Sequence, residues 1–179
     1  NNEAYSSVMF QNSNLSVRVT DDFMQAVEKD EKWATHTITT GKAIGEYPAR
    51  ELMDLIAEGT RICGDPGLQY HSTINRWHTC PNSGPINASN PCSEYMFIDD
   101  SACNLASLNL MKFRKENGTF DIDSFKKAIR MFIIAQEILV DNGSYPDESI
   151  AINSHFFRPL GLGYANLGSL VISLAIVYD

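Results

Sequence analysis

Asn87-Ala88-Ser89-Asn90-Pro91-Cys92-Ser93-Glu94-Tyr95 lies at the end of a long stretch that has neither helical nor strand periodicity. From Cys63 onward the chain reads Cys63-Gly64-Asp65-Pro66-Gly67, a turn signal, and Pro81, Gly84, Pro85 and Pro91 follow. A stretch of this length without periodicity is either disordered or functional. Tyr70, Ile74, Trp77 and Ile86 supply apolar anchors, so the segment is expected to be an ordered catalytic or ligand-binding loop region.

Outward from it, strand and helix signals alternate. Residues 5–20 look extended and end at Thr20, an N-cap for a helix whose first turn holds Asp21 and Asp22 and which runs to about Asp30. Trp33 to Thr40 alternates as a strand. Pro48 is placed to open a helix carrying Leu52, Leu55 and Ile56, with Gly59 as its stop. Tyr95 to Ile98 and Ala102 to Leu110 are apolar strand candidates. Asn117-Gly118 marks a turn, and Asp121 or Asp123 caps the clearest helix, with Phe125, Ile129, Phe132, Ile133, Gln136, Leu139 and Val140 on one spacing before Gly143. A last helix is expected from about Gly161 to Ile176, with Gly161, Ala165 and Gly168 as a smooth stripe. This mixture places the chain in the α/β class.

Composition narrows the function. The 179 residues carry 14 Lys+Arg against 22 Asp+Glu, a formal charge of −8, with 44% hydrophobic and 20% charged residues. That is globular composition, and its sign argues against a protein that tracks nucleic-acid phosphates, although a nucleotide pocket needs only a few local donors. No apolar run approaches the roughly 18–20 residues a membrane span needs, so no membrane partner is expected. Neither end has the marks of a natural terminus, which leads us to expect a longer parent chain. Cys63, Cys80, Cys92 and Cys103 form no C-x-x-C pair, so no metal site is expected and a reducing, cytoplasmic setting is favoured. His71 and His78, without an adjacent carboxylate, suit hydrogen-bonded histidines better than metal ligands.

Chemistry concentrates in Asn90-Pro91-Cys92-Ser93-Glu94. Pro91 disfavours helix for Asn90, and an extended path would put Asn90, Cys92 and Glu94 on one face, successive members about 6.5 to 7 Å apart at ~3.3 Å per residue. An amide, a thiol and a carboxylate would then line one surface, suited to a nucleophile or radical site with a neighbouring acid/base. The plainer alternative is a packed thiol, an Asn-Pro turn and a solvated glutamate.

Four blocks carry a resemblance: Cys63-Gly64-Asp65-Pro66-Gly67-Leu68-Gln69-Tyr70, Asn75-Arg76-Trp77, the segment from Asn87 to Tyr95, and Ala102-Cys103-Asn104-Leu105-Ala106-Ser107-Leu108-Asn109-Leu110. Together with Ser16-Val17-Arg18-Val19 and Arg158-Pro159-Leu160-Gly161-Leu162-Gly163, they resemble the catalytic subunit of ribonucleotide reductase, in wording closest to the adenosylcobalamin-dependent class. The resemblance implies an α/β fold, with residues 1–179 forming the central portion of a ten-stranded α/β barrel and residues 86–95 its finger loop. It implies that Cys92 becomes the thiyl radical that removes the ribose 3′-hydrogen and that Glu94 takes the 3′-hydroxyl proton. Asn90 hydrogen-bonds the ribose hydroxyls, Ser93 lies with these two against the substrate, and Cys103 is half of the reducing dithiol. The second reducing cysteine is expected upstream, outside this chain. The implied cofactor is adenosylcobalamin, bound mostly by other parts of the protein, with an external dithiol of thioredoxin type as reductant. The implied partners are a ribonucleotide substrate, a dNTP effector in the full-length protein and, compatibly, a second copy in a homodimer. Two alternatives stay open: the class whose radical comes from a separate metal-bearing subunit, and a structural fragment without activity of its own.

Overall fold

A computed structural model describes residues 12–177. The chain divides into two compact units, Asn1–Asp99 and Asp100–Asp179.

In the first unit, β1 (Ser16–Val19) is followed by α1 (Asp21–Glu28), β2 (Lys32–His36), β3 (Ala43–Pro48), α2 (Ala49–Cys63), β4 (Gly67–Tyr70) and α3 (His71–Arg76). Thr20 is the N-cap foreseen, its hydroxyl accepting from the Phe23 amide at 3.3 Å. β2 and β3 form an antiparallel hairpin, whereas β1 and β4 pair in parallel, Ser16 opposite Gly67 through Val19 opposite Tyr70. A parallel pair needs a long crossover, and α1, the hairpin and α2 supply it. Its core is Val19, Phe23, Ala26 and Ala49, with Trp33 meeting Phe23 edge-on at 5.3 Å. α2 does not stop at Gly59. It continues to Cys63, where Gly64 takes the left-handed conformation (φ 84°) and its amide bonds Thr60 O at 2.8 Å. Gly59 instead makes room, because a Cβ there would lie 3.1 Å from Asp65 O as the chain returns.

The second unit holds β5 (Asn104–Asn109), α4 (Ile122–Asn142), α5 (Glu148–Phe157), β6 (Leu160–Ala165) and α6 (Leu167–Ser173). β5 and β6 are again parallel, Asn104 opposite Leu160 and Leu105 opposite Gly161, and the helices form the crossover. Asp121 is the N-cap of α4, accepting from the Ser124 amide at 3.1 Å. That bond is the main reason the Asp121 carboxyl titrates below its ordinary 3.8. The cap therefore stabilises α4 above that ordinary value, and the stabilisation is lost as pH falls through the lowered folded value. Hydrogen exchange at the Ser124 amide should quicken across that window in the native protein, and Asp121→Asn should flatten the response.

The expected helix from Gly161 begins only at Leu167. Leu160-Gly161-Leu162-Gly163-Tyr164-Ala165 alternates large and small residues with period two, which makes it a strand, and this alternation outweighs the i, i+4 spacing of small residues. Tyr95 to Ile98, expected as a strand, joins no ladder; Tyr95 and Phe97 sit 6.1 Å apart, centroid to centroid, and Phe97 meets the His78 ring at 6.2 Å. α4 is apolar on more than the side it turns to the strands, and Met131, Ile134, Ile138 and Leu139 are exposed. No helix among the described residues is long and apolar enough to cross a membrane.

Candidate functional site

Three polar side chains of the first unit organise the loop from Ile86 to Tyr95. Asn75, on α3, takes Ile86 by both backbone groups: Oδ1 accepts from Ile86 N at 2.9 Å and Nδ2 donates to Ile86 O at 3.1 Å. A side-chain amide here does what a neighbouring strand would do, and Ile86 is buried as a result. Arg18, from β1, donates through Nη2 to the same carbonyl at 2.6 Å, through Nη1 to Gln69 Oε1 at 3.1 Å and through Nε to His71 Nδ1 at 2.9 Å. Burial pulls the Arg18 guanidinium below its ordinary value, and the negative charge of Asp99 opposes that shift.

Gln69 is the centre of the arrangement. It lies on β4 and is 3% exposed, and its Nε2 faces Ser89 Oγ at 2.9 Å, Ser93 Oγ at 3.0 Å and Asn90 O at 3.1 Å. With Arg18 on Oε1 and oxygens around Nε2, the orientation of this amide is settled by its neighbours. The loop also lies close on β4, since a Cβ on Gly67 would stand 3.3 Å from Pro91 O.

The segment from Asn90 to Glu94 departs from the expected extended path. Ser93 N donates to Asn90 O at 3.0 Å, closing a β-turn with Asn90 first and Pro91 second, and Ser93 has φ 69°. Tyr95 N then donates to Asn90 Oδ1 at 3.1 Å, so the chain curls around Asn90. Asparagine followed by proline favours turn initiation, and with Gln69 available to bind three loop oxygens the turn wins over alternation. Asn90, Cys92 and Ser93 are thus brought together within one turn rather than by alternation along a strand, and Glu94 follows at its exit. Cys92 is exposed, and its Sγ accepts from Asn14 Nδ2 at 3.1 Å; Glu94 is also exposed.

Cys103 belongs to the second unit. It precedes β5 and is half-buried, its Sγ 3.8 Å from Asn104 O. Cys63 is exposed at the end of α2, within 3.4 Å of the carbonyls of Gly59 and Asp65. His71 accepts from Arg18 at Nδ1, while His78 accepts from Cys80 N at Nδ1 and faces Gly84 O from Nε2. Both are the hydrogen-bonded histidines expected. Arg18, Gln69 and Asn75 were not foreseen as site residues, and the one signal that could have pointed to them is that each lies inside a block that carries the family resemblance.

The family model for the ribonucleotide reductase barrel domain matches residues 1–179. The chain is 62% identical, over its whole length, to a vitamin B12-dependent ribonucleotide reductase of Rhodopirellula baltica. It is 49% identical over 97% of its length to one of Streptomyces avermitilis. It is 36% identical over 93% of its length to a vitamin B12-dependent ribonucleoside-diphosphate reductase of Mycobacterium tuberculosis. It spans 17%, 18% and 24% of those three proteins respectively.

Proposed function

Since the chain belongs to the ribonucleotide reductase barrel-domain family, we propose that it carries the radical-bearing loop of an adenosylcobalamin-dependent enzyme that reduces ribonucleotides to deoxyribonucleotides. The observation that carries this reading is the Asn90–Ser93 turn, which presents Cys92 while Gln69 and Arg18 hold the loop beneath it. On this reading the chain forms part of a ten-stranded α/β barrel with residues 86–95 as its finger loop, and the two parallel strand pairs joined by helical crossovers support it. The full-length protein works in the cytoplasm, where nucleotides, a dNTP effector and a thioredoxin-type dithiol are at hand.

The clefts lined by Thr73, Trp77 and Met96 and by Val17, Phe23 and Leu52 measure about 280 and 370 Å³, too small for a corrinoid. Neither cleft holds the cofactor by itself, in keeping with its being bound mostly by other parts of the protein, and the chemistry of Asn90, Cys92, Glu94 and Cys103 starts from a Cys92 that already carries the unpaired electron. The sulfur takes the 3′-hydrogen atom, which converts the thiyl to a thiol and leaves the radical on the sugar carbon. Glu94 removes the 3′-hydroxyl proton, which raises electron density at that carbon and helps the 2′-hydroxyl depart as water. Asn90 uses Oδ1 to hold Tyr95 N, so Nδ2 is the group that donates to a ribose hydroxyl. Cys103 and a cysteine outside this chain give two electrons and two protons and end as a disulfide; Glu94 returns its proton to the 3′-oxygen, and the Cys92 thiol gives its hydrogen atom back to the sugar carbon, which restores the thiyl.

The test is the full-length enzyme with adenosylcobalamin, a ribonucleotide and a dithiol, and no second subunit. Deoxyribonucleotide formation supports the proposal, and activity that requires a separate metal-bearing subunit overturns the cofactor assignment. In the same assay Glu94→Gln should lower kcat by about 10²-fold, within the usual range for losing a general base, with KM changed only a few-fold. A large KM change at normal kcat would make Glu94 a ligand only.

A further inference from the structure

A glycine beside Cys103 has a steric role that the fold alone does not require. Gly161 lies opposite Leu105 in the β5–β6 ladder, and its backbone is in a region open to any residue. A Cβ built on it would stand 2.5 Å from Leu105 Cδ2, 3.1 Å from Cys103 Sγ and 3.5 Å from Asn104 O. The leucine methyl ends an exposed, flexible side chain and can swing aside. The sulfur hangs from a single torsion with three staggered wells, so it has few places to go.

The backbone on either side cannot easily open. Gln136, on α4 and 2% exposed, donates from Nε2 to Asn104 O at 2.8 Å and to Gly161 O at 3.0 Å, and Asn104 Nδ2 returns a bond to Gln136 O at 3.3 Å. One buried amide thus ties together the carbonyls of Asn104, next to Cys103, and Gly161 at the starts of both strands. Gly163, two residues on, offers the contrast: its nearest atom would be Ser107 Oγ at 3.6 Å, an ordinary contact.

We propose that Gly161 is the positioning residue of Cys103, its missing side chain fixing where the thiol sits for disulfide formation. The inference rests on Cys103 being half of the reducing dithiol. Oxidation joins Cys103 Sγ to the sulfur of the second cysteine, releases two protons and passes two electrons to the substrate. An S–S bond tolerates little error in the placement of its Cβ atoms, so a sulfur pushed aside by a few tenths of an ångström makes a strained, more easily reduced disulfide.

The experiment uses the full-length enzyme without external reductant, measuring deoxyribonucleotide formed in a single turnover and the reduction potential of the Cys103 disulfide in a thiol redox buffer. Gly161→Ala should slow the single turnover about tenfold or more, in keeping with the cost of small misplacements at reacting groups, and raise the potential. Gly163→Ala should match wild type within about twofold in rate, as a compatible glycine substitution. Equal behaviour of the two variants overturns the proposal. Should Gly161→Ala fail to fold, Leu105→Ala/Gly161→Ala removes the leucine clash and keeps the contact with sulfur, and wild-type rate and potential in that double variant overturn the proposal equally. Cys103→Ser separates the layers: full single turnover by that variant refutes the role of Cys103 itself, whereas an inactive Cys103→Ser beside a normal Gly161→Ala refutes only the role of the glycine.

Discussion

Full-length enzyme with Cys92→Ser is expected to form no deoxyribonucleotide above background, a loss of at least about three orders of magnitude in kcat. The O–H bond is stronger than the S–H bond, so a serine at this turn cannot be converted to the oxygen-centred radical that hydrogen abstraction would need. The hydroxyl still accepts from Asn14 Nδ2 and fits the same turn, so folding and nucleotide binding should persist. Equilibrium binding of the nucleotide beside a turnover assay checks both halves, and residual turnover above a hundredth of wild type would remove Cys92 from the radical role. The thiol is exposed among the residues described. On the proposed radical role the sulfur has to be kept from solvent, so we expect other parts of the full-length protein to cover it. Alkylating reagents should therefore label Cys92 slowly in the intact enzyme and more slowly still with nucleotide bound.

The second large effect is expected at Gln69. Gln69→Met preserves volume and removes both the acceptor for Arg18 and the donor to Ser89, Ser93 and Asn90. Ser93 Oγ and one Arg18 N–H lose a partner in half-buried surroundings, while Asn90 O keeps its bonds from Ser93 N and Ser89 Oγ, so the local loss should be about 1–3 kcal/mol. Ser93 N should exchange its hydrogen faster by the corresponding factor, while amides of α4 stay protected. Because the loop then samples geometries other than the closed turn, kcat should fall about 10- to 100-fold with KM changed less. Unchanged exchange at Ser93 would show that the turn does not depend on Gln69.

The parts of the fold that were legible in the sequence are those with local causes. Thr20 and Asp121 each cap a helix through a bond to an amide three residues on, and both follow from residue type next to an amphipathic run. The ordered character of residues 63–94 was also foreseeable, because Ile74 and Ile86 supply apolar anchors amid turn residues. The candidate site was legible as a segment, Asn90 to Glu94, but not as a shape. Alternation along an extended chain ignored the turn-forming tendency of Asn90-Pro91, and the bonds that settle the turn come from Gln69, about twenty residues away. Asn75 is eleven residues from the Ile86 backbone it holds, and Arg18 sixty-eight from it; no short-range pattern records such pairs. At Gly161 the small-residue spacing drew attention to helix packing, whereas the large–small alternation of the same residues belonged to a strand.

The uncovered flank of α4 has a consequence for handling and for biosynthesis. A 21-residue helix with Met131, Ile134, Ile138 and Leu139 bare to water is adhesive. During translation it emerges before any downstream neighbour that could bury it, which makes it a natural stretch for a chaperone to grasp. Truncated versions ending soon after this helix will tend to precipitate, and a solubilising fusion or co-expression with the remaining sequence is the practical way to obtain material for study.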